Sequence, residues 1–444
     1  MLDKARCQEI FAELVKYSDA DETELLIGGG AHALTRFANN TIHQNVTEEG
    51  YVLSVRTAFG QRTARATTNR LDSESLRRVV QESASLARQQ LPDAELLPMP
   101  PAYSYPPVDR SFERTAAASP ADRAQGVLQA IRIAEKNGQT AAGTFSTGTG
   151  MQAIFNSRGL EAYYSGTLAE FSITTMAPTS TGWAKKTAPN VAEISAVGLA
   201  ERAARIARES RDPKEIPPGH YVTILEPSAV LDLIGFMLYD FSGQAVRDQR
   251  SFLTDRVGQK LFGANINISD DAYHPLQFGP PFDGEGVCRK ALPLVENGVI
   301  RNLVYARATA KQMGAEPTGH GFPLPNEYGE SPMNIVFAGG SHSVEEMIAS
   351  TERGILVTRL WYIREVDPYK KILTGMTRDG TFLVENGKVA SGIRNFRFNE
   401  SLIDLLSSVE MLSPIERASG EEAAPMVVPA LKVSSFHFTE VTKF

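Results

Sequence analysis

The five-residue sequence Leu-Val-Glu-Asn-Gly occurs twice in this 444-residue chain, at 294–298 and again at 383–387. In each copy, apolar residues lead into an Asn-Gly pair and further apolar residues follow it. Asn and Gly tolerate the positive φ angles of a type I′ turn, so this pattern is the strongest short-range signal of an antiparallel hairpin. The second half of the chain is therefore predicted to contain antiparallel strands. Two unrelated hairpins or an internal duplication would each account for the repeat.

Residues 1–90 are predicted to form a helix, a run of strands and a second helix. The apolar residues that recur at helical spacing in the first helix are Cys7, Ile10, Phe11, Leu14 and Val15. Over 35–68 the pattern changes to alternation, with turn signals at Glu49-Gly50 and Phe59-Gly60. Asp72 then offers an N-cap for the second helix. This segment is predicted to be a small unit of helices and a strand meander.

Residues 91–118 are predicted to be a linker, because the six prolines within 91–109 disfavour helix interiors and sheet centres. The next unit opens with Ser119 as an N-cap and Pro120 at the first helical position. We assign this second unit to residues 119–218.

A hairpin turning at 157–159 and a helix over 192–209 are predicted to complete the second unit. Beyond it, residues 219–444 have mostly strand-like patterns. The predicted fold class is α+β, with two small helix-plus-antiparallel-strand units followed by a larger strand-rich C-terminal domain.

Composition limits the class of ligand and the compartment. The net charge of −7 gives no electrostatic reason to expect nucleic acid or an anionic membrane as a partner. The longest apolar stretch, 231–241, is too short to span a bilayer and is interrupted by Asp232 and Asp240. Cys7 and Cys288 are too few for a disulfide framework, which favours a reducing compartment. We therefore expect a cytoplasmic protein that binds neither nucleic acid nor membrane.

The usual catalytic motifs cannot be found in the sequence. No two of the seven histidines lie three, four or five residues apart, the spacing that places two imidazoles on one helix face. The thiol of Cys288 has Arg289 and Lys290 beside it, but a half-buried strand residue beside exposed charges fits this pattern better. The glycine-rich pieces 28–30 and 143–150 lack the Gly-Lys-Ser/Thr ending of a phosphate-binding loop. They are interpreted as ordinary loops.

The segment 318–328 combines glycines, prolines, a histidine, a carboxylate and two aromatic residues. Long loops of this kind often line binding clefts. The candidates for a peptide groove are Gly319, His320, Asn326 and Tyr328. A solvated connection with an incidental histidine is the simpler interpretation. A metal held by side chains that are distant in sequence, such as His274 and His320, is a further hypothesis.

Three stretches carry a family resemblance when they are taken together. The first is Thr-Arg-Phe-Ala-Asn-Asn-Thr-Ile-His-Gln-Asn at 35–45, followed by the strand meander. The second is Arg-Ser-Phe-Leu at 250–253, with Gly258 shortly after it. The third is the pair of hairpins within 283–298 and 380–387. In this order and spacing the chain resembles the TldD/PmbA family of bacterial metallopeptidases, also called modulators of DNA gyrase, over nearly its whole length.

The resemblance implies a cytoplasmic two-subunit peptidase that acts on peptides or small unfolded proteins. The family's catalytic subunit carries His-Glu-x-x-x-His on a helix, where the histidines bind zinc and the glutamate acts on the attacking water. Spacing back from Ser251 and Gly258 places this motif at 231–238, which here contains no histidine and only one acid, Asp232. The cysteine expected nearer the C-terminus is also missing from 410–429.

These departures resemble the PmbA (TldE)-like subunit, which lacks the motif. No catalytic residue and no metal ligand is therefore assigned to this chain, and zinc is expected in a catalytic partner subunit. The leading hypothesis is a non-catalytic subunit that pairs with a TldD-like zinc-bearing subunit and helps to hold an extended peptide.

Two other functions remain open at this point. One is a homodimeric peptide-binding or scaffolding protein without hydrolase activity. The other is an enzyme that uses Cys288 or the loop around His320 for its chemistry.

Overall fold

The computed structural model describes residues 1–442, so the last two residues of the predicted unit 219–444 lie outside it. The helices of the described chain are α1 (Lys4–Val15), α2 (Ser73–Gln89), α3 (Glu113–Ala116), α4 (Pro120–Lys136), α5 (Ala196–Glu209), α6 (Pro227–Ile234), α7 (Gly243–Arg247), α8 (Arg307–Met313), α9 (Val344–Ala349) and α10 (Leu402–Ser407).

The strands of the N-terminal half are β1 (Glu22–Ala38), β2 (Thr41–Phe59), β3 (Arg62–Thr68), β4 (Thr140–Asn156), β5 (Glu161–Ala177) and β6 (Ser180–Ala188). Those of the C-terminal half are β7 (Gly219–Leu225), β8 (Ile268–Asp270), β9 (Leu292–Glu296), β10 (Val299–Ile300), β11 (Ile335–Phe337), β12 (Arg353–Val357), β13 (Leu360–Asp367), β14 (Ile372–Thr377), β15 (Thr381–Glu385), β16 (Lys388–Gly392), β17 (Phe396–Ser401), β18 (Val409–Leu412), β19 (Glu416–Ala418), β20 (Met426–Val428) and β21 (Leu431–Val441). The predicted α+β fold class is confirmed.

The six strands of the N-terminal half form one antiparallel sheet in the order β3-β2-β1-β4-β5-β6. The pairing of β1 with β4 is continuous from Glu24 opposite Asn156 to Phe37 opposite Gly143. The strands predicted for the two small units therefore belong to a single sheet, joined along β1 and β4. The turn predicted at 157–159 separates β4 from β5 as expected.

The loops predicted at 28–30 and 143–150 are instead parts of β1 and β4, and Glu49-Gly50 lies inside β2 rather than at a turn. The reason is a row of glycines that face one another across the sheet. Gly30 is directly opposite both Gly50 and Gly150. A Cβ atom on Gly30 would lie 2.0 Å from the carbonyl oxygen of Thr149, so this close approach of two backbones requires glycine.

Four helices cover one face of this sheet. Leu25 and Ile27 of β1 pack with α1 and α2, and Phe37, on the same face of the strand, packs with α4 and α5. Local caps fix where the helices begin, as predicted. The side chain of Asp72 accepts the N–H of Ser75, and α4 begins with a capping box. The helix predicted over 192–209 begins later, at α5, after a short 3₁₀ turn.

The C-terminal half contains two mixed sheets packed around the largest hydrophobic core of the described chain. One has the order β10-β9-β8-β11-β20-β19, and the other has the order β13-β14-β17-β21-β7-β12-β15-β16, with β18 also pairing with β21. β6 and β19 are edge strands of their respective sheets. Within residues 1–442, none of the helices is long and apolar enough to cross a membrane.

Both Asn-Gly pairs form the predicted hairpins. Asn297 and Gly298 have φ angles of 51° and 77° between β9 and β10, and Asn386 and Gly387 have φ angles of 52° and 74° between β15 and β16. These signs match a type I′ turn. The two hairpins lie in different sheets.

Replacing Gly298 with alanine is expected to destabilise the chain by about 2 kcal/mol or more. A Cβ atom would be in the left-handed region and only 2.2 Å from the carbonyl oxygen of Phe262. Gly258 is the matched control, because its φ is +87° but a Cβ atom added to it would have no neighbour within 4 Å. Urea unfolding should show a clearly larger loss for Gly298→Ala than for Gly258→Ala. Equal losses would show that the close contact with the carbonyl oxygen of Phe262 does not lower stability.

Candidate functional site

The helix α6 lies where the resemblance places the zinc motif. It follows β7, starts with Pro227 and is continued by 3₁₀ turns through Phe241. Its side chains belong to the large core: Leu231, Leu233, Ile234 and Met237 are all buried. Histidine nitrogen, cysteine sulfur and carboxylate oxygen are the usual zinc ligands. The segment 231–238 offers only Asp232 from this set, so its residues do not fit a zinc ion.

Asp232 is used to hold a nearby loop. Its Oδ1 accepts the N–H groups of Glu422 at 3.1 Å and Ala423 at 3.2 Å, in the loop between β19 and β20. Its Oδ2 is buried and has no hydrogen-bond partner within residues 1–442. Burial raises the pKa of this carboxyl to about 7, although the backbone hydrogen bonds and Arg359 act in the opposite direction. The carboxyl therefore anchors the loop over α6 from inside the core.

Arg359 connects the C-terminal half to β6. Its guanidinium lies 4.4 Å from the ring centre of Trp183 and 5.1 Å from that of Trp361, the two tryptophans of the chain. Its Nη1 donates to Asp379 at 2.7 Å, and Asp379 also accepts the hydroxyl of Thr181 at 2.5 Å. Such stacking on aromatic faces suits arginine particularly well. The cluster fixes the position of β6 relative to the sheet that contains β13.

A cleft of about 370 Å³ lies between β6 and α5 on one side and β19 and the start of α6 on the other. Its apolar lining includes Trp183, Leu199, Leu276 and Ile415, and its cations are Lys185, Lys186, Arg202 and Arg417. Edge strands such as β6 and β19 present backbone N–H and C=O groups that an extended chain can pair with. β6 and β19 both contribute residues to the cleft, which also lies beside the start of α6.

The loop that contains His320 is not the solvated connection that the sequence favoured. His320 is buried, with its Nδ1 at 2.9 Å from Thr318 Oγ1 and its Nε2 at 3.1 Å from Asp270 Oδ1. The second contact is short enough for an ion pair but lacks the alignment of a hydrogen bond. Burial would raise the pKa of Asp270, but the charge of His320 and the neighbouring donors hold it at about 2. The histidine is part of a buried polar network.

The other groove candidates, Gly319, Asn326 and Tyr328, lie in the same loop but differ in their exposure to solvent. Gly319 has a φ of +76°, and a Cβ atom there would lie 2.4 Å from the carbonyl oxygen of Cys288. Gly319 and His320 therefore cannot line an open groove in this structure. Asn326 closes its own turn by accepting the N–H groups of Tyr328 and Gly329. Tyr328 is exposed, and it is the candidate whose side chain is available to a ligand.

Cys288 and His274 are also placed by local contacts. The Sγ of Cys288 lies 3.5 Å from the hydroxyl of Tyr273 and is partly buried. The Nδ1 of His274 accepts the N–H of Leu276 at 3.2 Å. In the part of the chain that the structure describes, no group of three or more His, Cys, Asp or Glu side chains is arranged to hold a metal ion. His274 and His320 therefore do not belong to such a group.

The sequence did not reveal the contacts that hold Trp183 at the cleft. Trp183, Arg359 and Asp379 are far apart in the chain and meet only because β6 packs against the C-terminal half. The one available signal was that the chain has only two tryptophans. The structure shows that both contact the same guanidinium. Asp232 could be noticed as an acid in an apolar stretch, but its loop partners could not be predicted.

Comparison with known proteins agrees with this architecture. The sequence profiles described as PmbA/TldA metallopeptidase domain 1, central domain and C-terminal domain match residues 24–87, 108–211 and 218–440. An uncharacterized protein of Methanocaldococcus jannaschii is 29% identical over 66% of this chain and 69% of its own length. Metalloprotease PmbA of Escherichia coli is 21% identical over 86% of this chain and 85% of its own length.

The crystal structure of TldE from Thermococcus kodakarensis superimposes with a TM-score of 0.89 at 22% identity, covering 98% of this chain and all of that one. At this identity the superposition shows a common fold. The three matched profiles together cover most of the chain, in the order in which the domains occur. The chain therefore belongs to the PmbA/TldD metallopeptidase family.

Proposed function

We propose that this chain is the TldE-like, non-catalytic subunit of a cytoplasmic metallopeptidase that acts on peptides or small unfolded proteins. The observation that carries the proposal is the composition of α6 and the turns after it. Where the zinc motif is expected, the side chains are packed into the core, and the one acid, Asp232, is committed to a backbone loop. A helix of this kind supplies neither the ligands nor the base of a zinc peptidase.

The proposal assigns zinc and the reacting groups to a TldD-like partner subunit that carries His-Glu-x-x-x-His. The role of this chain is to help bind an extended peptide. The cleft between β6 and β19 supports this role, because backbone pairing at edge strands is largely independent of the peptide's sequence. The low number of cysteines supports a reducing cytoplasm as the compartment.

Mixing the chain with a relative that carries the motif should produce a complex and peptide cleavage. We expect co-elution on size exclusion, and cleavage of an unfolded peptide at a rate at least about tenfold above that of either chain alone. A Glu→Gln change in the partner's motif should abolish cleavage and leave the complex intact, because that carboxylate acts on the water and not on the interface. This partner variant is the control for cleavage by contaminants.

Other outcomes of the same experiment separate the competing functions. Peptide binding by this chain as a homodimer, with no complex and no gain in cleavage, would support a scaffolding protein instead. Cleavage by this chain alone that disappears in Cys288→Ala would instead identify an enzyme with a cysteine-dependent site.

A further inference from the structure

One long strand of the N-terminal sheet is paired on one side only over about half of its length. β2 pairs with β1 from Thr41 to Ala58, but with β3 only from Leu53 onward. Apart from its ladder with β1, the backbone of 44–52 makes no hydrogen bond within residues 1–442. We call this segment the free edge of β2. In an antiparallel pair every second residue directs its N–H and C=O groups away from its partner, so the free edge presents a row of unused donors and acceptors.

Both faces of the free edge are open to solvent. Residues 44–50 are all exposed, and so is Val52. The segment is bounded at one end by the register shift opposite Arg36 and Phe37, and at the other end by the start of the β3 ladder. A strand of this length extends over about 30 Å. An extended chain can therefore reach the free edge without a rearrangement of the residues that the structure describes.

Other sheet edges of this chain are blocked in ways that the free edge is not. β13 is interrupted by two register shifts in its ladder with β14, and β6 faces the C-terminal half across the cleft. Bulges and covering elements are usual means by which proteins prevent pairing at an edge. The free edge has neither, and it contains no proline or lysine. Its only charged residues are Glu48 and Glu49.

The two glutamates determine which strand fits the free edge. Adjacent residues of a strand point to opposite faces, so Glu48 and Glu49 give each face one negative charge. Glu48 has no ion-pair partner within residues 1–442, and Glu49 is 57% exposed although it lies 3.9 Å from the amino group of Met1. Pairing with a second copy of this chain about Glu48 would place like charges opposite each other, which is destabilising. A segment with two consecutive basic residues would place opposite charges there instead, which is stabilising.

We propose that the free edge of β2 binds an extended segment of the substrate peptide that carries two consecutive lysine or arginine residues. The segment adds to the sheet beside β2. Backbone hydrogen bonds hold it in place, and Glu48 and Glu49 select its basic side chains. Val46 and Val52 are exposed on the face that Glu48 shares, where they offer contacts to apolar residues on either side of the basic pair. This inference deepens the proposed peptide-binding role and rests on it.

Fluorescence anisotropy with the full chain, in the absence of any partner subunit, tests this selection. The probe is a short labelled peptide with a central Lys-Lys flanked by alternating valine and threonine, and its counterpart has Glu-Glu at the centre. The natural chain should bind the Lys-Lys peptide at least about tenfold more tightly. Glu48→Gln/Glu49→Gln should weaken binding of the Lys-Lys peptide by about fivefold. The matched control, Glu82→Gln/Glu135→Gln, removes two exposed charges from α2 and α4 and should leave binding unchanged.

Hydrogen–deuterium exchange of the natural chain gives a check that needs no variant. With the Lys-Lys peptide bound, exchange should slow at alternate amides of 44–52, because only the outward N–H groups gain a partner. Unchanged exchange over 44–52 would overturn the inference, and so would equal binding of the two peptides.

Failure of this inference can be distinguished from failure of the proposed function. If the complex with a motif-bearing partner forms and cleaves peptide while the Lys-Lys peptide leaves 44–52 unprotected, the free edge is not a binding site and the two-subunit function stands. If the Lys-Lys peptide protects 44–52 but no complex forms and no cleavage is gained, the free edge is confirmed as a peptide site and the two-subunit function is wrong.

Discussion

Replacing Glu24 with alanine is expected to lower the free energy of unfolding by about 3–5 kcal/mol, because it leaves the buried guanidinium of Arg56 and the partly buried one of Arg65 without their counter-charge. Glu24 is 1% exposed and accepts two hydrogen bonds from Arg56, at 3.2 and 2.8 Å. Its other contact is with Arg65, at 2.5 Å. Burial raises the pKa of Glu24, but the two arginines outweigh it and hold the pKa below its usual value.

The arginine pair also ties the sheet to the C-terminal half. Arg65 donates through its Nε to the carbonyl oxygen of Leu324 at 2.7 Å, in the loop that contains His320. Loss of Glu24 should therefore loosen this junction as well as the sheet. Urea unfolding followed by fluorescence measures the effect.

Glu161→Ala is the matched control for Glu24→Ala. Glu161 lies on the same sheet, and its ion pair with Lys4, at 3.3 Å, is half-exposed. Exposed pairs contribute about 0–1 kcal/mol. Similar losses in the two variants would contradict the idea that burial makes the Glu24 cluster important.

Asp232→Asn is expected to stabilise the chain increasingly as the pH rises. The folded chain raises the pKa of Asp232 from 3.8 to about 7, chiefly through burial. Between these values the unfolded chain has already lost the proton that the folded chain keeps. Stability therefore falls as pH rises through this window, and the loss is complete above about pH 7. Asparagine, which does not ionise, should remove this loss.

The unfolding free energy of Asp232→Asn should exceed that of the natural chain by an amount that grows with pH. This difference should increase by about 2–3 kcal/mol from about pH 5 to about pH 8. Asparagine keeps an oxygen that can accept the N–H groups of Glu422 and Ala423, so its geometry is matched. Asp109→Asn, at an exposed carboxyl, should show no comparable gain. A pH-independent difference between Asp232→Asn and the natural chain would contradict the buried, protonated carboxyl.

Local signals in the sequence predicted much of the secondary structure. The caps at Asp72 and Ser119 and the two Asn-Gly hairpins depend on residues within a few positions of one another, and each formed as predicted. The glycines of β1 and β4 were wrongly assigned to loops because they serve a close approach between strands more than a hundred residues apart. Composition alone cannot distinguish such a row from a loop.

The candidate site was predictable only in part. The absence of histidine and cysteine from 231–238 is a property of the sequence. The structure adds that the one acid there, Asp232, accepts the N–H of Glu422. The burial of His320 depends on Asp270, which is fifty residues away. The contacts of Arg359 with two tryptophans cross from one half of the chain to the other. No local pattern encodes such contacts.

The central claim, that α6 carries no catalytic zinc, is tested most directly on the isolated chain. The purified chain would be dialysed against zinc, then analysed for bound metal and for cleavage of an unfolded peptide. The account predicts less than about 0.1 zinc per chain and no cleavage above background. Binding of one zinc per chain, with peptide cleavage that disappears when a chelator removes the zinc, would contradict the claim.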